Sequence, residues 1–168
     1  MQEVCRSIQE FLSAHGIPAW LVVFIISLMP ILECRLGMFA AIVLLDMNPF
    51  VGFLIAFLGN ILPIPFILIL INKIFELLKK IPHINKPIFW LEEHTLKKKD
   101  KIDKYGIWGL LLFVAIPLPG TGGWTGALLA SLLQLDKKKS FGVIAIGVFI
   151  AGLVITVLSL IFGKAVLG

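Results

Sequence analysis

The chain alternates between apolar runs and short polar breaks. The runs cover residues 17–32, 36–45, 49–71, 107–135 and 141–163. A helix needs about 20 residues to cross a bilayer. The runs 49–71 and 141–163 satisfy this requirement as single segments, so we predict one membrane-spanning helix in each.

The run 107–135 is also long, but it is broken at its centre. The breakers lie close together, at Pro117, Pro119, Gly120, Gly122 and Gly123. Proline costs about 3 kcal/mol in a helix interior and glycine about 1 kcal/mol, and backbone exposed to lipid must satisfy its hydrogen bonds internally. We therefore predict two half-helices joined by an unwound tip, in a hairpin that enters and leaves the bilayer on the same side (a re-entrant hairpin).

Residues 17–45 form a second broken run. It is interrupted at Pro30, Glu33, Arg35 and Gly37. A Glu and an Arg in the middle of a lipid-facing helix would be costly. We therefore favour a re-entrant hairpin here too, and one long tilted span over the same residues remains the alternative.

Each broken run is followed by a polar turn and then by one full span, which indicates a repeat. The predicted fold is an all-α polytopic membrane protein with two inverted repeats, each a re-entrant hairpin plus one transmembrane helix. Repeat one covers 17–72 and repeat two covers 105–168. Residues 1–16 precede them, either as an amphipathic helix on the membrane surface or as a frayed polar terminus.

Composition and charge support this topology. The chain of 168 residues is 59% hydrophobic and 15% charged, whereas soluble domains are about 25% charged. The net charge of +5 is concentrated in the Lys-rich loop 73–104, and such bias marks the cytoplasmic side. The turn 46–49 has no Lys or Arg and should face outward, while Lys137–Lys139 mark a second cytoplasmic turn. The two hairpins would then enter from opposite sides.

Within the basic loop, residues 86–104 are predicted to form an amphipathic helix. We expect it to lie along anionic lipid headgroups or to set orientation, and we expect no nucleic-acid partner. The bilayer itself is the expected partner. A homodimer could enclose a pathway that one small chain cannot, and Gly122 and Gly126 have the spacing of a helix-dimer motif.

The first candidate site is the pair Glu33 and Arg35. Ionisable residues within membrane segments are rare and are often functional. Glu33 would accept a proton or a cation, and Arg35 would hold a phosphate through its planar guanidinium. The alternatives are a buried ion pair that only fixes the hairpin, or a shallow hairpin with both groups at the interface.

The second candidate site is the break in the second hairpin. It offers free peptide groups, two hydroxyls and the N-terminus of a half-helix, which favours anions. Asn60 and Gly126 are expected to support the packing, and Asp46 and Asp136 to cap the helices that follow them. The candidate binding residues of this break are Pro117, Pro119, Gly120, Thr121, Gly122, Gly123, Trp124 and Thr125.

No arrangement of catalytic residues is recognisable, so we do not expect an enzyme. His15, His83 and His94 lack metal-ligand spacing, and no Ser/His/Asp set or cofactor motif is present. A membrane transporter fits best. Its substrate would carry an anionic group such as a phosphate, held by Arg35, with Glu33 as a proton acceptor. The alternatives are export of small organic cations and a scaffold that transports nothing.

The residues now in view resemble the small multi-drug export protein family, a distant relative of the DedA-type membrane proteins. The stretch YGIWGLLLFVAIPLPGTGGWTGALLASLL, residues 105–133, carries the match, together with the E-x-R motif at Glu33 and Arg35. The chain departs from the family just after this motif, where Leu36–Phe39 replace a small residue and Ile-Pro. The resemblance implies a prokaryotic inner-membrane protein with opposed re-entrant hairpins, and with lipid movement and proton coupling as in the DedA-type proteins.

Overall fold

The structure is a computed structural model that describes residues 2–78, 99–118 and 120–167. Regular structure in these ranges is helical and includes no strand, which confirms the all-α prediction. The α-helices are α1 (Gln2–Ala14), α2 (Ala19–Leu28), α3 (Glu33–Phe39, continued by a π-helical turn Ala40–Leu44), α4 (Pro49–Ile61), α5 (Ile64–Leu78), α6 (Lys99–Ala115), α7 (Gly123–Leu132) and α8 (Lys137–Leu167).

Two stretches within the described residues are long and apolar enough to cross a membrane. They are Pro49–Ile71, with 23 residues, and Lys137–Gly163, with 27 residues. They agree with the predicted spans. The first consists of α4 and the beginning of α5 with a break at Leu62–Pro63, because Pro63 and Pro65 have no N–H to bond the carbonyl four residues earlier.

Helices α2 and α3 fold back on each other. A side chain added at Gly37 would lie 3.3 Å from the carbonyl oxygen of Val23, whereas one continuous helix would separate these residues by roughly 20 Å. Residues 29–32 therefore reverse the chain, and the described residues do not form one tilted helix over 17–45. That this hairpin is re-entrant in a bilayer remains a prediction.

Helices α6 and α7 form a second hairpin of the same kind. An added side chain at Gly126 would meet the side chains of Val114 at 2.5 Å and Leu110 at 3.7 Å. Helix α6 begins at Lys99, earlier than the predicted run at 107. Of the amphipathic helix expected over 86–104, the first part lies outside the described residues and the last part is the beginning of α6.

The pattern of helix neighbours is the same in both halves of the chain. The first arm of each hairpin packs on the span of its own half, α2 on α4 and α6 on α8. The second arm of each hairpin packs on the spans of both halves, α3 on α4 and α8, and α7 on α5 and α8. The two halves thus have similar helix neighbours, and the inverted repeat and the opposite membrane orientation of the halves remain predictions.

Polar side chains in the turns that follow the hairpins cap the helices α4 and α8. Asn48 caps α4, with its Oδ1 accepting from the backbone N–H of Phe50 at 3.0 Å, and Asp136 caps α8 through the N–H of Lys139 at 2.8 Å. The predicted cap at Asp46 is wrong. Asp46 instead has a left-handed backbone, with φ of 49°, which places its side chain before the capping position.

The apolar core lies between the two spans and the inner faces of the hairpins. Helix α1 contacts its edge, where the side-chain amide of Gln9 donates to the carbonyl of Leu44 at 3.2 Å. This confirms a helix at the N-terminus, while its place on a membrane surface remains a prediction. The largest fully buried apolar side chains are Met38, Ile64, Leu110, Ile144, Val23, Val114 and Val148.

Candidate functional site

The tips of the two hairpins contact each other, and Glu33, Gly122 and Gly123 are buried at this contact. We define tip one as residues 29–35 and tip two as residues 116–118 and 120–125. Both candidate sites of the sequence analysis lie at this junction. The structure therefore brings Glu33 and Arg35 to the broken segment of the other half, more than 80 residues away along the chain.

Glu33 caps a helix that belongs to the other half of the chain. It is only 5% exposed, and its Oε1 accepts a hydrogen bond from the backbone N–H of Trp124 at 3.3 Å. The N–H of Gly123 faces the same carboxylate. These are among the first N–H groups of α7, which have no partner within their own helix and lie at its positive end.

The backbone of Glu33 is itself unusual. Its φ is 53°, a left-handed conformation that costs about 1–3 kcal/mol when a residue other than glycine adopts it. The peptide N–H of Glu33 still bonds the carbonyl of Met29, at 3.0 Å. A residue in this conformation persists where surrounding contacts hold it in place. For Glu33, that contact is the hydrogen bond that its carboxylate accepts from the N-terminus of α7.

Arg35 holds the other side of the same break. Its Nη1 donates to the carbonyl oxygen of Leu118, and its Nη2 donates to Oγ1 of Thr121 at 3.0 Å. Its Nε is buried and has no hydrogen-bond partner among the described residues. Arg35 thus satisfies a carbonyl that the prolines of tip two leave outside any helix.

Glu33 and Arg35 do not pair with each other. In the ranges that the structure describes, the one ion pair within 4.0 Å joins Arg6 to Glu10, on the surface of α1. The two charges of tip one instead bind separate parts of tip two. The structure therefore shows no ion pair among the described residues of hairpin one, and a binding role for the two charges remains a prediction.

Thr121 organises the unwound part of tip two. Its Oγ1 lies 2.7 Å from the carbonyl of Ile116 and 2.9 Å from that of Leu118, and it also accepts from Arg35. Thr125 is half-buried at the beginning of α7, with its Oγ1 3.4 Å from the carbonyl of Gly122. Both predicted hydroxyl residues thus bond backbone inside the tip.

The glycines of tip two allow this close approach. A side chain at Gly122 would collide with the carboxylate of Glu33, and one at Gly123 would lie 2.6 Å from Oδ1 of Asn60. Gly120 has φ of 81° and makes the turn. Gly122 and Gly126 both contact residues of their own chain, so their spacing gives no support to a dimer motif.

Asn60 and Trp124 place unpaired polar atoms at the junction. Asn60 is fully buried, and its amide lies beside the side chains of Glu33 and Cys34. Neither its amide nitrogen nor its oxygen makes a hydrogen bond of regular geometry to a described residue, and the same is true of the indole N–H of Trp124. Asn60 thus lies at the junction of the tips, and its supporting role there remains a prediction.

A family model described as "Putative small multi-drug export protein" matches residues 33–154. The chain belongs to the small multi-drug export protein family. This confirms the resemblance drawn from residues 105–133 and from Glu33 and Arg35, while the more distant DedA relation remains a prediction. No curated protein and no solved structure matches the chain.

Membership in the small multi-drug export family and the two apolar spans identify a membrane protein of the transporter class. The matched range begins at Glu33, so it contains Glu33 and Arg35 of tip one and the whole of tip two. In the described part of the chain, no group of three or more His, Cys, Asp or Glu side chains could hold a metal ion. The groups at the junction offer charge and hydrogen bonding.

Two site residues of this small multi-drug export protein need separate mention. Pro117 is half-buried at the beginning of the break, while Pro119 lies outside the described residues. The carbonyl of Leu118, which binds Arg35, was missed by the sequence analysis. The prolines on both sides of Leu118 were the available signal, since they prevent its peptide from joining a helix.

Proposed function

We propose that the chain is a transporter that moves an anionic lipid or lipid-linked phosphate across the inner membrane of a prokaryotic cell, coupled to protons. One observation carries the proposal: the carboxylate of Glu33 occupies the N-terminus of α7, next to the guanidinium of Arg35. In this proposal the two hairpins are re-entrant from opposite sides of the bilayer, and their junction lies near its midplane.

The N–H groups that bond Glu33 and the guanidinium of Arg35 are the groups of an anion site. A helix N-terminus with free N–H groups binds phosphate, and a guanidinium binds phosphate oxygens bidentately. Here the N–H of Trp124 bonds Glu33, and Arg35 bonds tip two. A substrate anion must therefore replace the carboxylate, so we interpret the structure as a closed, substrate-free form.

Proton coupling follows from the charge of Glu33. A phosphate about 4 Å from an ionised carboxylate is repelled by roughly 4 kcal/mol in a partly buried site. Protonation of Glu33 removes this repulsion and also weakens its bond to the N–H of Trp124. The substrate anion thus binds together with a proton on Glu33, which is the requirement for moving the two in the same direction.

Export of small organic cations is the second candidate, and the family description favours it. In that case Glu33 would bind the cation, and Trp124 would add an aromatic face. Arg35 argues against this function, because its positive charge lies two residues from Glu33 and contacts the same tip.

The test is transport by the purified full chain in liposomes, with and without a pH gradient. A fluorescent polyprenyl phosphate and a fluorescent phospholipid are assayed for bilayer crossing, and a cationic dye is assayed in parallel. We expect the wild type to move an anionic lipid faster with the gradient. Arg35→Ala should abolish transport and Glu33→Gln should abolish the response to the gradient.

Glu10→Gln and Arg6→Ala are the matched controls, because these side chains form an exposed pair on α1. Both controls should transport like the wild type. Equal lipid crossing by the wild type, Glu33→Gln and Arg35→Ala would exclude the proposal. Movement of the cationic dye that Glu33→Gln stops would replace it with cation export, and movement of neither probe would favour a scaffold.

A further inference from the structure

A second feature lies outside the junction, on the face that α3 and α8 share. It is a cleft with a volume of about 300 Å³, at the lower end of the range for small-molecule sites. The cleft runs along α8 from Ile155 to Phe162, a distance of roughly 10 Å. The residues that line it are Arg35, Leu36, Phe39, Ile155, Leu158, Ser159, Phe162 and Gly163.

The walls of the cleft are apolar and open to the side. Among its lining residues, Arg35 is the one charged side chain and Ser159 the one hydroxyl. Leu36 is 46% exposed and Phe162 is 59% exposed, so the cleft opens on the outer surface of two helices that belong to a membrane protein. Its chemistry suits a hydrocarbon chain.

The charged residues near the two ends of the cleft favour one orientation of a bound amphiphile. At one end, Arg35 connects the cleft to the junction, and its buried Nε has no hydrogen-bond partner in the described ranges. Beyond the other end lies a smaller cavity of about 160 Å³ that shares Ser159 and Gly163 with the cleft and is lined by Asp46. An anionic group is therefore favoured at the Arg35 end and disfavoured at the Asp46 end.

We propose that this cleft binds the alkyl chain of an anionic amphiphile, whose charged group lies at Arg35. The proposal rests on the proposed function and deepens it, since it assigns a separate place to the apolar part of the substrate. It also requires an elongated substrate with its charge at one end. A compact anion such as inorganic phosphate would leave the cleft unused.

The test is photolabelling of the full chain in phosphatidylcholine nanodiscs. Three probes are compared that differ only in the headgroup: decyl phosphate, decanol and decyltrimethylammonium, each with a diazirine at the end of the chain. Labelled positions are identified by mass spectrometry. We expect decyl phosphate to label the cleft-facing residues of α3 and α8 and to be displaced by unlabelled decyl phosphate.

Two substitutions on α8 provide the matched comparison. Ser159→Phe fills the middle of the cleft, and Val157→Phe adds the same ring at a position that is 53% exposed and does not line it. Each buried methylene contributes to binding, so Ser159→Phe should reduce cleft labelling by at least about tenfold. Val157→Phe should leave it unchanged. Arg35→Gln should remove the preference for phosphate over decanol.

Equal labelling of the cleft by all three probes on the wild type would overturn the proposal, because it would mean that the cleft takes up any alkyl chain whatever its headgroup. Unchanged labelling in a folded Ser159→Phe would overturn it too, as would a cross-link between two copies through this face. The wild-type comparison of headgroups decides the question even if a variant does not fold. Selective labelling without transport in liposomes would retain the cleft site and exclude the proposed function.

Discussion

The two hairpin tips contribute different polar groups to the contact between them. Tip one brings charged side chains into an apolar interior, at Glu33 and Arg35. Tip two has no ionisable group among its described residues, but it exposes peptide N–H and C=O groups that belong to no helix. A buried charge is costly unless it is paired, and so is a buried unpaired peptide group.

The comparison teaches that neither tip is complete by itself. Glu33 supplies the acceptor that the beginning of α7 lacks, and Arg35 adds a charged donor to the carbonyl of Leu118, which otherwise bonds only within tip two, to Thr121. The ionisable residues are therefore part of the packing as well as of the site. Any event that separates the tips leaves both sets of polar groups unsatisfied, unless a ligand or water replaces the lost partners.

The largest effect on this arrangement is expected from Gly122→Ala. The added methyl group collides with the carboxylate of Glu33, and overpacking of this kind costs roughly 3 kcal/mol. Gly142→Ala is the control, because nothing lies within 4 Å of its added Cβ and alanine favours the helix. Thermal unfolding in detergent measures both, and equal melting temperatures would contradict the contact.

Removal of the charge at Arg35 should have the next largest effect. Arg35→Gln loses charged hydrogen bonds to the carbonyl of Leu118 and to Thr121, and we expect a loss of about 2 kcal/mol. Arg6→Gln, in an exposed pair, should cost at most about 0.5 kcal/mol. Urea or heat unfolding of the two variants provides the comparison. A stability at or above the wild type in Arg35→Gln would show that this guanidinium does not hold tip two.

A double-mutant cycle can separate the two charges of tip one. Arg35 contacts the hydroxyl of Thr121, and Glu33 bonds a different part of tip two. We expect a coupling of about 1 kcal/mol between Arg35→Gln and Thr121→Val. The coupling of Glu33→Gln with Thr121→Val should be smaller. The reverse order would mean that the charges do not act on separate segments.

The smallest expected effects test the equivalence of the two halves at their turns. Asp46 and Gln134 both have a left-handed backbone, with φ of 49° and 53°, and each lies two residues before a helix-capping side chain. Asp46→Gly and Gln134→Gly should each stabilise the protein by up to about 1 kcal/mol. Glu33→Gly removes the same backbone strain but also loses the hydrogen bond to α7, so it should lower the stability of the protein. A gain at Glu33 would contradict its capping role.

Local chemistry made part of this arrangement predictable. Clustered prolines and glycines indicated the break at 117–123, and charges within an apolar run indicated the break around Glu33. Chain length and hydropathy were sufficient for the two spans. Each of these signals lies within one segment, so no knowledge of tertiary contacts was needed.

The remaining features depend on contacts between distant segments. Glu33 and Arg35 are near each other in sequence, which suggested an ion pair, but the left-handed backbone at Glu33 and the free peptides of tip two give each a different partner. The sequence predicted Asp46 as the cap of α4, whereas Asn48 is the cap. Both side chains are of types that cap helices, and only the backbone conformation of the turn selects between them. No sequence pattern indicated the cleft between α3 and α8.

The interruption at Leu62–Pro63 gives the two spans unequal stiffness. Helix α8 continues without a break for 31 residues and contacts both hairpins. We therefore expect it to be the stiffer of the two spans. The other span is jointed, and its segments are attached to different hairpins, α4 to the first and α5 to the second. We therefore expect bending at this joint to be the easiest way to tilt one hairpin relative to the other.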